Sequence, residues 1–558
     1  MEMPWLSHYE PSVPPTLEYP QRALHTNLEE AALKHPGAAA IIFLDATLTY
    51  AQLNDLTDRF AAALQQLGVA KGDRVAIYLA NCPQFVMAYY GALKAGAVVA
   101  PFNPLYAARE VEHQLRDCGA TVMLVMSRMY PIVRQVRAKT ALRHVIVTNI
   151  KEYFPSLTRL LFTLLREKRE GDRQDISGDA QTQWLQELLR GSPPKPQPVE
   201  VLPGDTAVLL YTGGTTGVPK GAELSHANIM TNAVMCAAWM HDLEEGREVV
   251  LTALPLYHSF GMTTCMNVSV HSAAAMLLVP DPRDIQGLMK NINRHHPTVF
   301  PGVPTMYVAF NSCPGCTEYD VKSIRACISG AAALPVEVQK RFQELTGGRL
   351  VEGYGLSEAS PVTHANPVYG ENRIGTIGLP FPDTMAKIVD LETGARELLP
   401  GEPGELIVRG PQVMKGYWNM PEETSIALRG GWLYTGDIAI MDDDGYFRII
   451  DRKKDMIIAG GYNIYPREVE EVLYEHPKVK EVVVAGIPDC YRGETVKAYV
   501  VLKEGETATE AELVRFCRGK IAKYKVPTAI EMRAQLPKSI VGKFLRRVLV
   551  EEETASGE

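Results

Sequence analysis

Residues 211–228 read YTGGTTGVPKGAELSHAN, with four glycines, four threonines or serines and one lysine around a single proline. Gly213, Gly214 and Gly217 let a backbone turn tightly and aim its N–H groups at an anion. Thr212, Thr215 and Thr216 add hydroxyl donors, and Lys220 adds a positive charge. The chemistry is that of phosphate binding; the plain alternative is a polar surface loop. The usual phosphate loop is Gly-x4-Gly-Lys-Ser/Thr. Here Val218 or Pro219 falls where its second glycine must stand, so the pattern fails. GxGxxG is absent from the stretch as well.

Such a loop needs a rigid strand to carry it, and AVLLY (207–211) supplies one. The elements before it alternate. RVAIYLA (74–80), AVVAPFN (97–103) and TVMLVM (121–126) are short apolar strands. QFVMAYYGALKAG is a helix closed by Gly96, VEHQLRDCG another, and Thr49 with Gln52 opens a third with a capping box. This rhythm predicts βαβ units and a parallel sheet. It resumes in 205–355 through EVVLTALPL, AAMLLV, TVFPGV, IRACISG and RLVEGYG. After about 375, AKIVD, GELIVRG and GYFRIIDRKKD predict a β-rich subdomain, and from about 455 a small α+β unit follows. The terminal EEETASGE is expected to fray.

With 558 residues, more than one core is required. Composition is that of a globular protein, 46% hydrophobic and 22% charged, and with a net charge of −8 no basic excess argues for nucleic acid as the main partner. Among nine cysteines only Cys313 and Cys316 are closely spaced, which predicts reduced thiols rather than a zinc site. The N-terminus lacks the pattern of a signal peptide and no apolar run reaches the ~20 residues of a membrane span, so the expectation is a cytoplasmic protein. Leu157, Leu160, Leu161, Leu164 and Leu165 fall at i, i+3, i+4, i+7 and i+8 among Lys151, Arg159, Arg166, Lys168 and Arg169. This is a basic amphipathic helix, either packed on its own domain or lying on a membrane surface. GSPPKPQPVEVLPGD after it reads as a proline-stiffened linker.

YTGGTTGVPKG closely resembles the signature loop of the adenylate-forming superfamily, which includes acyl-CoA synthetases, luciferases and peptide-synthetase adenylation domains. The common form has serine where this chain has Gly213. The resemblance runs from about 30 to 545, and further motifs appear in order. GYGLSEAS (353–360) resembles the adenine and magnesium motif: Tyr354 and Gly355 would lie at adenine, Ser357 would reach phosphate, and Glu358 would hold Mg²⁺. WLYTGDIAIMDDDGYFRIIDRKKDMI (432–457) resembles the ribose and hinge region, with Asp437 and Arg452 on the ribose and Lys454 as hinge. Its Asp442-Asp443-Asp444-Gly445 run lacks the spacing of a calcium loop and predicts a plain turn. AGGYNIYPREVEE (459–471) resembles the thiol site, where Gly460 and Gly461 would admit pantetheine and Arg467 and Glu468 open the next helix. LPKSIVGKFLRR (536–547) matches the terminal motif, with Lys543 as catalytic lysine. ALPLYHSFGM (253–262) resembles the acyl gate with His258, and SGAAALP (329–335), with Gly330, would line the pocket. Relatives that activate amino acids place an aspartate in the gate segment; this chain reads Tyr257-His258-Ser259.

The resemblance implies a fold and an activity. The fold is a large N-terminal domain of two doubly wound α/β sheets plus a β-rich subdomain, residues 1–451 with an insert at 151–190. A hinge at 452–456 leads to a small mobile α+β domain at 457–558. ATP, Mg²⁺ and coenzyme A are the implied cofactors and co-substrates, with Thr215, Glu358, His258 and Lys543 catalytic. The loop 212–217 with Lys220 would hold the phosphates. Overall texture resembles bacterial long-chain fatty-acid–CoA ligases; medium-chain or aryl acids, a luciferase-like oxygenase and a non-catalytic binder are the alternatives. The expected partners are fatty acid, ATP and CoA, with a homodimer and a peripheral contact on the inner membrane face through 157–169 as candidate assemblies.

Overall fold

The computed structural model describes residues 3–212, 219–315, 318–459, 462–489, 493–538 and 544–556. The chain divides into two compact units. One comprises Leu6–Met385 with Arg409–Gly431; the other comprises Met1–Trp5, Ala386–Val408 and Trp432–Glu558. The β-rich segment is thus grouped with the C-terminal residues.

The first unit is built on two sheets. The larger runs 416–417, 220–225, 206–212, 98–101, 74–78, 122–126, 144–148 and 182–184 in spatial order. Its inner strands are parallel. Val75, Ala76, Ile77 and Tyr78 are wholly buried, as are Val99 and Ala100. Continuous apolar strands of this kind need cover on both faces, which helices supply. Helix Tyr50–Gln66 starts on the expected capping box, Thr49 with Gln52, and helix Pro83–Lys94 is followed by Gly96 at φ +76°. The strand Lys220–Ser225 pairs antiparallel with Thr206–Thr212, and Gly416–Tyr417 pairs antiparallel with it in turn.

The second sheet places Ala39–Phe43 parallel to Ala275–Leu278, which is parallel to Val249–Thr252. Single bridges through Val299 link it to Ala326–Ser329, which pairs parallel with Arg349–Gly355. The sequence predicts a strand at TVFPGV, and only isolated bridges form there. Pro301 and Pro304 lack the N–H that a central ladder requires. Helices Pro304–Asn311 and Val336–Thr346 cover this sheet, and the rings of Phe300, Tyr307, Phe310 and Phe342 meet between them.

In the second unit, strands Gly404–Arg409, Trp432–Met441 and Phe447–Arg452 form the expected β-rich part. The α+β part has the strands Val479–Asp489 and Gly493–Leu502 at its centre, with helices Pro466–Tyr474 and Glu510–Arg518. The acidic stretch does not fray over its described residues as predicted: helix Arg546–Ser556 takes in Glu551–Ser556. Leu549 is fully buried with Val483 and Tyr499, and Glu552 and Glu553 pair with Arg533 and Lys497. Among the described residues seven cysteines are free and buried, and no helix is long and apolar enough to cross a membrane.

Phe342 is fully buried, with Phe310 and Tyr307 ring centroids 4.9 and 5.0 Å away. Phe342→Ala is expected to destabilise the unit by roughly 3–5 kcal/mol. Guanidinium titration would show this as a lower midpoint with the slope retained.

Candidate active site

In the first unit, Thr212 lies opposite Lys220 in the antiparallel register, so the loop between them is anchored at both ends by one strand pair. The Thr212 hydroxyl donates to the Lys220 carbonyl at 3.4 Å. Gly213, Gly214, Thr215, Thr216 and Gly217 lie outside the described residues, as do Gly460, Gly461 and Lys543. The Lys220 ammonium pairs with the Glu423 carboxylate and stands 5.3 Å from the centroid of the Tyr417 ring. The Tyr417 hydroxyl donates to Glu358 Oε1 at 2.7 Å. Burial, with Glu358 beside it, pushes the Tyr417 phenol well above its ordinary range, so it remains a donor at neutral pH.

Glu358 sits on a short 3-10 turn, Ser357–Ala359, directly after strand Arg349–Gly355. Gly355 is where the chain passes closest to its return strand. A Cβ there would stand 2.1 Å from the Pro361 carbonyl oxygen, so no other residue fits. The Met414 N–H donates to the Glu358 carbonyl at 2.8 Å and fixes the turn from the other side. The Ser357 and Ser259 hydroxyls are 3.2 Å apart, which brings the 353–360 and 253–262 segments together. His258, half-buried beside Ser259, accepts the Phe260 N–H on Nδ1 at 3.3 Å. Gly330 faces the Phe260 ring, which a Cβ there would meet at 2.9 Å. Tyr354 packs edge-on to His364, with ring centroids 6.0 Å apart. Burial drives the His364 imidazole down to about 3, so it is neutral.

Among the described residues no cluster of three or more His, Cys, Asp or Glu could hold a metal. Glu358, half-exposed and with Tyr417 on one oxygen, is a single carboxylate. That fits a hard cation such as Mg²⁺, which takes one or two carboxylates and completes its shell with phosphate and water. Two of these residues escaped the sequence reading. Tyr417 and Glu423 lie in KGYWNMPEET, where Pro421 and the glutamates read as an ordinary helix start. No local signal marks either one, because their partners are 59 and 203 residues away.

In the second unit, Asp437 and Arg452 face each other across strands Trp432–Met441 and Phe447–Arg452, with Oδ1 to Nε at 2.6 Å. Asp437 is buried. Lys454 is exposed on the turn Lys453–Asp455, and Lys453 pairs with buried Glu405 at 2.8 Å. The Asp442–Gly445 run is the predicted plain turn: Asp442 Oδ1 accepts the N–H groups of Asp444 and Tyr446. Arg467 and Glu468 open helix Pro466–Tyr474 as expected, and the Arg467 N–H donates to Asp451 Oδ2 at 2.8 Å. Arg546 donates to Asp455 at 2.8 Å and Glu470 at 2.7 Å, and lies 3.7 Å from Asp451.

Residues 28–418 match the model of AMP-binding enzymes, and residues 468–543 match that of the AMP-binding enzyme C-terminal domain. The chain belongs to the AMP-binding enzyme family. Within the family it is 49% identical to the long-chain-fatty-acid–CoA ligase of Bacillus subtilis (strain 168), over 99% of this chain and 98% of the relative. It is 41% identical to the enzyme of the same name from Escherichia coli O157:H7, over 99% of this chain and 98% of that one. The crystal structure of ATP-bound MatB from Rhodopseudomonas palustris superimposes with a TM-score of 0.85 at 29% identity, covering 97% of this chain and all of that one.

Burial raises the Asp451 carboxyl from 3.8 to about 6, against the opposing pull of Arg546. The folded state then holds this proton more tightly than the unfolded chain does. Its stabilising contribution is complete below about pH 4 and lost as pH rises through 6, worth at most about 3 kcal/mol. In Asp451→Asn that slope vanishes. The stability difference is expected to move in the variant's favour by up to about 3 kcal/mol between about pH 4 and 7, read from denaturant midpoints.

Proposed function

We propose that the protein is an ATP-dependent ligase that converts a long-chain fatty acid to its CoA thioester through an acyl-adenylate. The observation that carries this reading is the full-length likeness, at 49% identity, to a long-chain-fatty-acid–CoA ligase. The contacts of Glu358 and Lys220 with Tyr417 in the first unit support it. By the resemblance, Lys220 and the 212–217 loop would take the β- and γ-phosphates, Tyr354, Gly355 and Gly330 would serve the nucleotide, Ser357 and Thr215 the phosphates and His258 the acid. Asp437 accepts from the ribose hydroxyls, a role suited to a two-oxygen acceptor, with Arg452 beside it. Glu358 would hold Mg²⁺, which would supply charge neutralisation at the phosphates.

A carboxylate oxygen of the acid attacks the α-phosphorus, and the bond to the bridging oxygen breaks, so pyrophosphate leaves with that electron pair. Lys543 brings a flexible ammonium to the charge that develops there. The C-terminal residues 457–558 then turn about Lys454 against residues 1–451, and Gly460 and Gly461 admit the pantetheine arm. The thiol loses its proton, sulfur bonds to the acyl carbon, and the carbon–oxygen bond to AMP breaks.

The insert supports a surface contact. Helix Ser156–Leu165 exposes Leu157, Leu160, Leu161, Leu164 and Leu165, and Leu164 is 71% accessible. Packing against the domain is left to Phe162, whose ring meets Phe154 at 5.4 Å. The following segment is tied down. Asp172, fully buried, holds Arg128 at 2.6 Å, and Glu167 accepts Asn149 at 2.9 Å and Lys151 at 2.6 Å. Arg159, Arg166, Lys168 and Arg169 remain exposed beside the leucines. A firmly tethered leucine face flanked by cations suits an anionic bilayer at the cytoplasmic side, where ATP and CoA meet a lipid-soluble acid.

AMP and acyl-CoA release measured with ATP, Mg²⁺ and CoA across acetate, octanoate, palmitate, oleate, benzoate and amino acids should peak at palmitate or oleate. A peak at octanoate or benzoate would make this a medium-chain or aryl acid ligase. Lys543→Ala is expected to abolish adenylate formation while ATP still binds; acyl-CoA synthesis at the wild-type rate would sink the mechanism.

Flotation with anionic vesicles should carry the wild type, and the double variant Leu160→Glu, Leu164→Glu should bind at least about ten-fold more weakly. Equal flotation of both, with a change from dimer to monomer in the variant, would assign the face to a second copy of the chain.

A further inference from the structure

We propose that Tyr417 is a positioning residue that presets the two charges awaiting the nucleotide, and that Glu423 is the counter-ion which the nucleotide displaces from Lys220. This rests on the reading of Lys220 and Glu358 as the phosphate and magnesium residues. Tyr417 touches both: its hydroxyl is 2.7 Å from Glu358 Oε1, and its ring lies 5.3 Å from the Lys220 ammonium. The residue is fixed by its backbone. Tyr417 pairs with Ala222 at the sheet edge, its N–H donates to Thr424 Oγ1 at 2.9 Å, and the Trp418 N–H donates to the Gly221 carbonyl at 2.8 Å. A phenol held so has little freedom left, and it transmits that rigidity to the two long side chains.

The division of labour follows from charge. A hydrogen bond from Tyr417 takes up part of one Glu358 oxygen and orients the carboxylate, leaving the other oxygen for a hard cation. The ring face favours a cation above it and keeps the ammonium at the strand end. Glu423 satisfies that ammonium when no phosphate does. It is 39% exposed and sits in the first turn of helix Pro421–Ala427, so water can take it over once phosphate replaces it. The exchange trades one carboxylate for an anion of higher charge, and the charge-assisted bond is re-formed rather than lost.

Calorimetric titration of ATP into the full-length protein without acid, at stepped Mg²⁺ concentrations, tests the proposal apart from turnover. Tyr417→Phe should need about ten-fold more Mg²⁺ for half-maximal ATP binding, the scale of one lost bond to a charged group. KM for Mg-ATP should rise by about the same factor while kcat changes by less than about two-fold. Placed on Glu358→Gln, the same change should add nothing, because it acts through Glu358. Glu423→Gln should tighten ATP several-fold by removing a competitor. Unaltered Mg²⁺ dependence in Tyr417→Phe, additive effects in the double variant, or weaker ATP binding in Glu423→Gln would each overturn the proposal. So would a lowered Tm with equal losses for every ligand. A wild type that binds ATP yet activates no acid would refute the ligase reading instead, and the titrations would still decide the role of Tyr417.

Discussion

Thr212 stands opposite Lys220, and Tyr417 stands opposite Ala222 on the next strand over. That register at the edge of the large sheet is the constraint on which the candidate site depends. Side chains alternate across a strand, so a slip of one residue would turn the lysine and the tyrosine to opposite faces. The parallel core behind the edge, buried on both sides, resists such a slip. Rigid strands hold Thr212 and Lys220 where that strand pair ends. The same economy explains Gly355. The close return of the chain past Pro361 delivers Glu358 to Tyr417, and a single methyl group at Gly355 would spoil it.

The elements were legible where burial dictates a pattern. Strands such as Arg74–Tyr78 and helices such as Tyr50–Gln66 announce themselves through apolar runs, 3.6-residue spacing and capping residues, all local signals. The strand predicted at TVFPGV fails for an equally local reason, two prolines. The tail was misread because its fate is not local. EEETASGE is acidic and polar, and Lys497 and Arg533, distant in sequence, pair with Glu553 and Glu552 in the helix. The amphipathic pattern at 157–165 specifies a helix, which forms at Ser156–Leu165, yet periodicity cannot say whether a leucine face meets protein or something else.

The candidate site divides along the same line. Lys220 is legible from the phosphate-binding chemistry of its loop, and Tyr354, Ser357, Glu358, Asp437 and Arg452 from resemblance to ordered motifs; the structure places them in two groups, one in each unit. Tyr417 and Glu423 were missed because composition gives them away nowhere. A tyrosine at a strand end and a glutamate at a helix start have ordinary structural reasons to be there. Their importance lies in what the fold brings against them, and pairs separated by 59 and 203 residues leave no trace in a single sequence.

The second unit carries its own electrostatic argument. Arg546 lies three residues after Lys543, and it is largely buried among Asp451, Asp455 and Glu470. Breaking such a cluster by removing one partner is costly, because it strands buried charge. Glu470 also accepts the Val484 N–H, so the cluster is tied to the central strand of the unit. On the other side of Lys543, Lys538 pairs with Glu481 on the same strand at 2.6 Å and bridges to Phe544. The described residues on either side of 539–543 are therefore held, Lys538 to that strand and Arg546 to the turn at Lys454.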